Sequence, residues 1–314
     1  MANKNFDMRQ MVTDRILDSL EKGTVPWRKG WKPVMTSSGD FFGRGDMNAF
    51  SKTAYRGINV MLTASAGFED PRWLTLKQCL SLGGRVKREE FSNSTPVIFW
   101  KFNKKEVQDD TGKIEIKTWP LMRYYKVWNV SQCQDLDESK LPQLMKVEEI
   151  EDTEESERLS IEAAEKVIKD FLASKNAPKY KEEPSNKAYY RPSADTVVVP
   201  DRTQFDNVAE FYSTSFHELG HSTGHETRLK RDLMNCFGDH KYSKEELVAE
   251  MTAAILCGTV GIDCEKVFDN SAAYVSSWLK ELKNDKNLVI SASQQAQKAV
   301  DLILGTTFEE SKVA

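Results

Sequence analysis

The chain has 314 residues, 39% hydrophobic and 29% charged, with a formal net charge of −4. That length suits about two ordinary domains, 16 glycines and 10 prolines are too few for a low-complexity chain, and no apolar run approaches the ~20 residues that span a bilayer, so no membrane partner is expected. Five dispersed cysteines without a CxxC pair point to reduced thiols rather than a disulfide frame; with no apolar stretch of signal type in MANKNFDMRQMVTDRILDSLEKG, a cytoplasmic location is expected.

The charge is divided along the chain. Residues 1–130 carry 22 Lys/Arg against 14 Asp/Glu, and residues 131–314 carry 22 against 34. A basic front suits phosphate-bearing partners; the acidic back implies a second module.

In chain order, apolar positions Met11, Ile16 and Leu20 predict a helix over 6–22. GTVPWRKGWKP and residues 39–59 read as loops in which aromatic and basic residues interleave. Short helices are predicted over 59–66 and 75–82, the second ending at Gly83-Gly84, where glycine can take the left-handed cap. PVIFWKF (96–102) and PLMRYYKVWNV (120–130) read as strands, with Asp110-Thr111-Gly112 as a turn between them. The front is thus an α+β module over 1–133, followed by an acidic linker over 134–158. Beyond it, helices are predicted over 157–174, 204–223, 243–257, 269–283 and 290–304, with paired strands in 189–200 turning at Asp195. Ser243 with Glu246 three residues on reads as a capping box.

All four histidines lie between 217 and 240, and His217-Glu218-Leu219-Gly220-His221 spells H-E-x-x-H. On a helix, i and i+4 face the same way, so two imidazoles can hold one Zn2+ with a position left open for catalysis. Glu218 then has the place of a general base that takes a proton from water and passes it to a leaving amine. The helical pattern before the motif gives this helix a buried face, and Gly220 leaves room near a metal. Thr227 stands where a metzincin has its third histidine, and His225 is read as shaping the loop. The third ligand is therefore expected to be a carboxylate on the following helix. Glu250 is favoured, because Glu250-Met251-Thr252-Ala253-Ala254 matches the E-x-x-A pattern of related zincins; Glu246 is the alternative and would otherwise orient a histidine. Tyr242 is a candidate for stabilising an oxyanion, and strand 195–199 is a candidate open edge for an extended peptide.

In the front module Trp27, Trp31, Phe41, Phe42, Phe50 and Tyr55 alternate with Arg28, Lys29, Lys32, Arg44, Lys52 and Arg56. Aromatic faces stack on unpaired bases while cations track phosphates, a mixture that suits single-stranded DNA without sequence preference.

Several stretches resemble one known family. VPWRKGWKP, NAFSKTAYRGINVMLT, PRWLTLKQCLSLGGRVKREE, VIFWKF and YYKVWNV resemble the N-terminal domain of ArdC-type antirestriction proteins, shared with the front of TraC-type plasmid primases. YYRPSADTVVVPDRTQF, FYSTSFHELGHSTGHETRL, EELVAEMTAAILCGTVGI and YVSSWLKEL resemble the zincin-like metallopeptidase domain of the same proteins. One position departs from the pattern: Arg88 stands where the turn after Gly84 usually has glycine. The resemblance implies an α+β single-stranded-DNA-binding domain over 1–133 and a mainly helical zincin-like domain with a small sheet over 159–314. It implies metal ligands His217 and His221, a third ligand at Glu250, Glu218 as catalytic base, and DNA contacts at Trp27, Arg28, Lys29, Trp31, Lys52, Tyr55 and Arg56. The implied role is protection of incoming plasmid or phage DNA from host restriction in the bacterial cytoplasm, with an unidentified protein substrate, one belonging to the host restriction system being the candidate. Two other readings are open: a DNA-coating protein with a structural metal, and a metallopeptidase whose front docks protein.

Overall fold

A computed structural model describes residues 7–28, 34–35, 41–42, 45–108, 114–144, 153–233, 240–262 and 272–306. The expected turn at 110–112, the middle of the acidic linker, and Lys29 and Trp31 lie outside the described residues.

Helix α1 (Met8–Glu21) starts where the Asp7 carboxylate accepts from the N–H groups of Arg9 and Gln10, and it buries Val12, Ile16, Leu17 and Leu20. Next come two-residue strands β1 (Val34–Met35), β2 (Phe41–Phe42), β3 (Met47–Asn48) and β4 (Thr53–Ala54), helix α2 (Ile58–Ala64), strand β5 (Arg72–Thr75) and helix α3 (Leu76–Ser81). Thr75 and Gln78 form a reciprocal capping box at the start of α3, and Gly83 closes the helix at φ +80°, as its sequence predicts. After β6 (Arg85–Val86), Arg88 sits in a 3-10 turn, Arg88–Glu90. The two expected aromatic strands are longer than the sequence predicts. They form an antiparallel ribbon, β7 (Thr95–Gln108) and β8 (Ile114–Asn129), registered from Thr95 opposite Val127 to Gln108 opposite Ile114. The front sheet has the order β4-β3-β5-β8-β7; β9 (Cys133–Gln134) pairs with β6 in a second small sheet.

The back begins with α4 (Thr153–Leu172), then β10 (Lys179–Glu182), β11 (Tyr189–Arg191) and β12 (Thr196–Val199). Asp195 makes the turn before β12 at φ +45°. These strands form a sheet of order β10-β12-β11. The expectation of an open edge on strand 195–199 is corrected: β12 is central, paired parallel to β10 and antiparallel to β11. Among the described residues four helices follow: α5 (Val208–Ser222), α6 (His240–Val260), α7 (Ala272–Asn284) and α8 (Leu288–Ile303). Because α6 starts at His240, Ser243 lies inside the helix, so the expected capping box does not mark its start.

Two large cores hold these elements. One joins α4, β12, α5, α6 and α8 through Phe171, Val197, Phe211, Phe216, Leu219, Leu256 and Val300. The other crosses the expected domain boundary. Val12, Ile16 and Leu20 of α1, Trp27, and Met61 and Leu62 of α2 pack with Leu247, Met251 and Ala254 of α6, Trp278 of α7 and Val289 of α8. The front domain therefore packs directly on α6, α7 and α8.

Candidate metal centre

Helix α5 opens with the Asn207 side chain accepting from the Glu210 N–H. Its H-E-x-x-H residues fall on the helix's last turns, and the spacing of four brings His217 Nε2 and His221 Nε2 to 3.1 Å. Helix α6 packs against α5 at close range. A Cβ on Gly220 would meet Ala249 Cα and Thr252 Cβ at 3.3 Å each, so Gly220 serves helix–helix approach rather than room at the metal, a correction to its expected role.

That approach brings the Glu246 carboxylate to both rings, with Oε2 at 3.5 Å from His217 Nε2 and Oε1 at 3.4 Å from His221 Nε2. Among the described residues His217, His221 and Glu246 form the one group of ligand-type side chains converging closely enough for a metal. Glu250, the favoured third ligand from sequence, points elsewhere. Its Oε2 accepts a hydrogen bond at 3.1 Å from the indole Nε1 of Trp27, buried in the core beneath. One helical turn separates the two glutamates, about 6 Å along the axis, and packing of the front domain decides between them. Tyr242 falls in the first turn of α6, four residues before Glu246 and so at a position on the same helix face; its side chain lies outside the described set.

A second carboxylate, missed by the sequence reading, supports the site from behind. Glu245 Oε1 lies 3.3 Å from His221 Nδ1, and Arg231 holds Glu245 through Nε at 2.9 Å and Nη2 at 2.8 Å. Arg231 also donates to the Gly220 carbonyl and the Thr223 hydroxyl, tying the loop after α5 to α6. The adjacent pair Glu245-Glu246 was the available signal, since neighbouring helix positions point about 100° apart and can address both sides of one imidazole. Burial works against the charged forms here, but the carboxylates outweigh it at His221 and push it up to about 10. Against the same burial, the two histidines hold Glu246 well below the ordinary carboxylate range, and Arg231 with His221 lowers Glu245.

Glu218 is buried, and burial raises its pKa above the ordinary value despite the nearby histidines. The Tyr190 backbone in β11 lies close enough to oppose part of that rise. The edge of the small sheet nearest the motif is therefore β11, not the strand read from sequence. His225 lies outside the metal group: its Nδ1 is 2.8 Å from Thr227 Oγ1 and 3.9 Å from Asp195. Arg228, almost fully buried, pairs with Asp195 and donates to the carbonyls of Ser222 and Asn176. The loop after α5 is thus fixed to the turn before β12.

The expected DNA contacts are dispersed. Trp27 is fully buried and meets Trp278 edge to face at 6.2 Å, so it has no free face for a base. Tyr55 is buried with Val60, Trp73, Val97 and Val127. Arg56 forms an ion pair with Asp301 of α8 at 2.5 Å. Of the remaining four, Lys52 is exposed, and Arg28 has its backbone in the turn Pro26–Arg28. For Trp27 the physical cause is plain: a tryptophan beside Pro26 serves as a core anchor, and composition alone does not distinguish this from a stacking platform.

Comparison with known proteins agrees with this architecture. Residues 6–128 match the N-terminal domain of anti-restriction factor ArdC, and residues 165–295 match a zincin-like metallopeptidase domain. Two DNA primases TraC of Escherichia coli are 33% and 32% identical over 100% and 97% of this chain, which spans only 28% and 20% of their length. The metal-free crystal structure of the antirestriction ArdC protein from plasmid R388 is 34% identical, with TM-score 0.66 over 95% of this chain and 97% of that one. Its Mn(II)-bound structure is 32% identical, with TM-score 0.67 over 96% and 98%. With both domains matched in order, the chain belongs to the ArdC family of antirestriction proteins.

Proposed function

We propose that this protein protects incoming plasmid or phage DNA from restriction in the bacterial cytoplasm, by holding single-stranded DNA through its front domain and hydrolysing a peptide bond through its back domain. The observation that carries the hydrolytic half is the convergence of His217, His221 and Glu246 with Glu218 buried beside them. Two imidazoles and a carboxylate are the donor set of catalytic zinc sites, so the residues fit one Zn2+ per chain; the Mn(II)-bound relative makes manganese the second candidate. A divalent ion held there would polarise the scissile carbonyl and lower the pKa of water.

The chain's own residues supply the rest. Glu218 takes a proton from the attacking water and delivers it to the amine nitrogen as the C–N bond breaks. Its raised pKa suits a group that must both hold and release that proton. Glu245 and Arg231 fix the His221 ring with Nε2 towards Glu246. An extended peptide would lie along β11, next to Glu218, and Tyr242, one helical turn before Glu246 in sequence, is the candidate donor to the developing oxyanion. The substrate is a protein, with a component of the host restriction system as the candidate.

The test pairs wild type with Glu218→Ala during transfer of unmodified DNA into a restricting host. The expected result is lost protection with metal content and single-stranded-DNA affinity retained. Full protection by Glu218→Ala would remove hydrolysis from the explanation and leave DNA coating as the function.

A further inference from the structure

The β7–β8 ribbon outgrows the sheet that anchors it. Strand β5 pairs with β8 only at Val127–Asn129, so among the described residues the outer part of β8 has β7 as its one neighbour. Near the sheet the ribbon is core: Val97 and Val127 pack with Tyr55 and Trp73, while Ile98 and Met122 cover α1 and α2. Beyond that point its apolar residues face outward. Tyr125, Leu121 and Trp119 are 47%, 38% and 44% exposed.

Register places them in one row. Residues directly opposite each other share a face, and the pairs are Val97–Tyr125, Phe99–Arg123, Lys101–Leu121 and Asn103–Trp119. Phe99 meets Tyr125 edge to face at 5.5 Å, which steadies the Tyr125 ring. The exposed row therefore reads Tyr125, Arg123, Lys101 with Leu121, then Trp119: an aromatic at each end and two cations between. Six residues along a strand span roughly 20 Å. The segments 97–103 and 119–125 together hold six aromatic residues and no Asp or Glu.

Charge complementarity selects the occupant. A polyanion with unpaired bases uses both parts of this row, phosphates on the cations and base faces on the rings. A duplex hides its base faces. A strand-adding protein partner is disfavoured on the free edge of β8, because Pro120 offers no N–H there. We propose that single-stranded DNA lies along this face of the ribbon, with Tyr125 and Trp119 stacking on bases and Arg123 and Lys101 holding the phosphates between them. The proposal rests on the reading of the front domain as a single-strand binder and moves its contacts to residues that are exposed.

The experiment measures binding of fluorescein-labelled oligo-dT of 20 nucleotides by anisotropy across a series of KCl concentrations. Wild type is compared with Trp119→Ala/Tyr125→Ala and with Lys101→Gln/Arg123→Gln. Thermal unfolding and Zn2+ uptake of each variant report whether the rest of the molecule is intact; all four side chains are exposed, so both should be unchanged. The aromatic pair should lose roughly 5- to 150-fold in affinity for each stacked base. The cation pair should flatten the slope of log affinity against log salt by about 1.4, or 0.7 for each phosphate contact on a single strand. If wild type binds and both variants bind equally well, the ribbon is not the surface and the single-strand reading survives without it. If wild type does not bind at all, that reading fails and the ribbon assignment falls with it.

Discussion

Glu245 stands between a guanidinium and an imidazole, and its effect on the site follows from that position. With Glu245 accepting from His221 Nδ1–H, Nε2 is the nitrogen turned towards Glu246 and His217, and it would give its lone pair to a bound metal in place of a proton. Glu245→Gln should therefore weaken metal affinity about 10- to 100-fold, read by competition with a chromogenic chelator, and lower the melting temperature, because it removes the carboxylate that pairs with the buried Arg231. Arg231→Met should lose both, since Arg231 also holds the Gly220 carbonyl and Thr223. Asp195 carries a pH dependence of its own. Burial opposes its ionisation, but Arg228 and the Tyr190 hydroxyl hold its pKa below the ordinary 3.8. The stabilisation is thus present above that ordinary value and is lost as pH falls through the lowered folded one. Asp195→Asn should flatten the acid limb of the stability curve and cost about 1–3 kcal/mol at pH 7, because it strands the buried Arg228 in a partly solvated pair. Denaturant unfolding at pH 7 and pH 3 checks both. His217, Glu218 and His221 were legible as a site because their relation is local, a spacing of four within one helix. Glu246 was not separable from Glu250, because both lie on one face of α6. The difference lies in the hydrogen bond from Trp27, 223 residues away.

At the scale of elements, the α5–α6 contact sets the geometry of the centre. Gly220 permits it, with α6 backbone and side-chain carbons already at the limit of a Cβ contact. Gly220→Val should push the helices apart, cost about 1–3 kcal/mol in denaturant unfolding, and weaken metal uptake as Glu246 retreats from the two rings. Unchanged metal affinity would mean that α6 is held by other contacts. The helices were readable from sequence because their apolar positions recur at the helical period. The short strands were not: β3, β4, β6 and β9 have two residues each, too few for any alternation to show. The ribbon was found but cut short, because its outer half, 103–108 with 114–119, is mostly polar and charged, without a buried face to mark the period.

For the whole molecule, the expected boundary between two modules does not coincide with a break in packing. Val12, Ile16, Leu20, Trp27, Met61 and Leu62 find their partners on α6, α7 and α8. At about 1.5–3 kcal/mol for each large buried side chain, losing those partners removes an amount comparable to the 5–15 kcal/mol that holds a typical domain folded. A chain ending at residue 133 should therefore melt without a cooperative transition or self-associate, as followed by circular dichroism and light scattering. A sharp transition would show that the front folds alone. The charge division along the sequence said nothing about a shared interior, since buried apolar residues carry no charge to divide.

If His217, His221 and Glu246 together form the metal centre, metal binding by three proteins will show it. Wild type, Glu246→Gln and Glu250→Gln are stripped of metal, titrated with Zn2+ and followed by calorimetry. About one ion per chain is expected for wild type and Glu250→Gln, with binding by Glu246→Gln weakened about 100-fold or more. Normal binding by Glu246→Gln together with lost binding by Glu250→Gln would contradict that assignment, and would return the third ligand to the residue now bonded to Trp27.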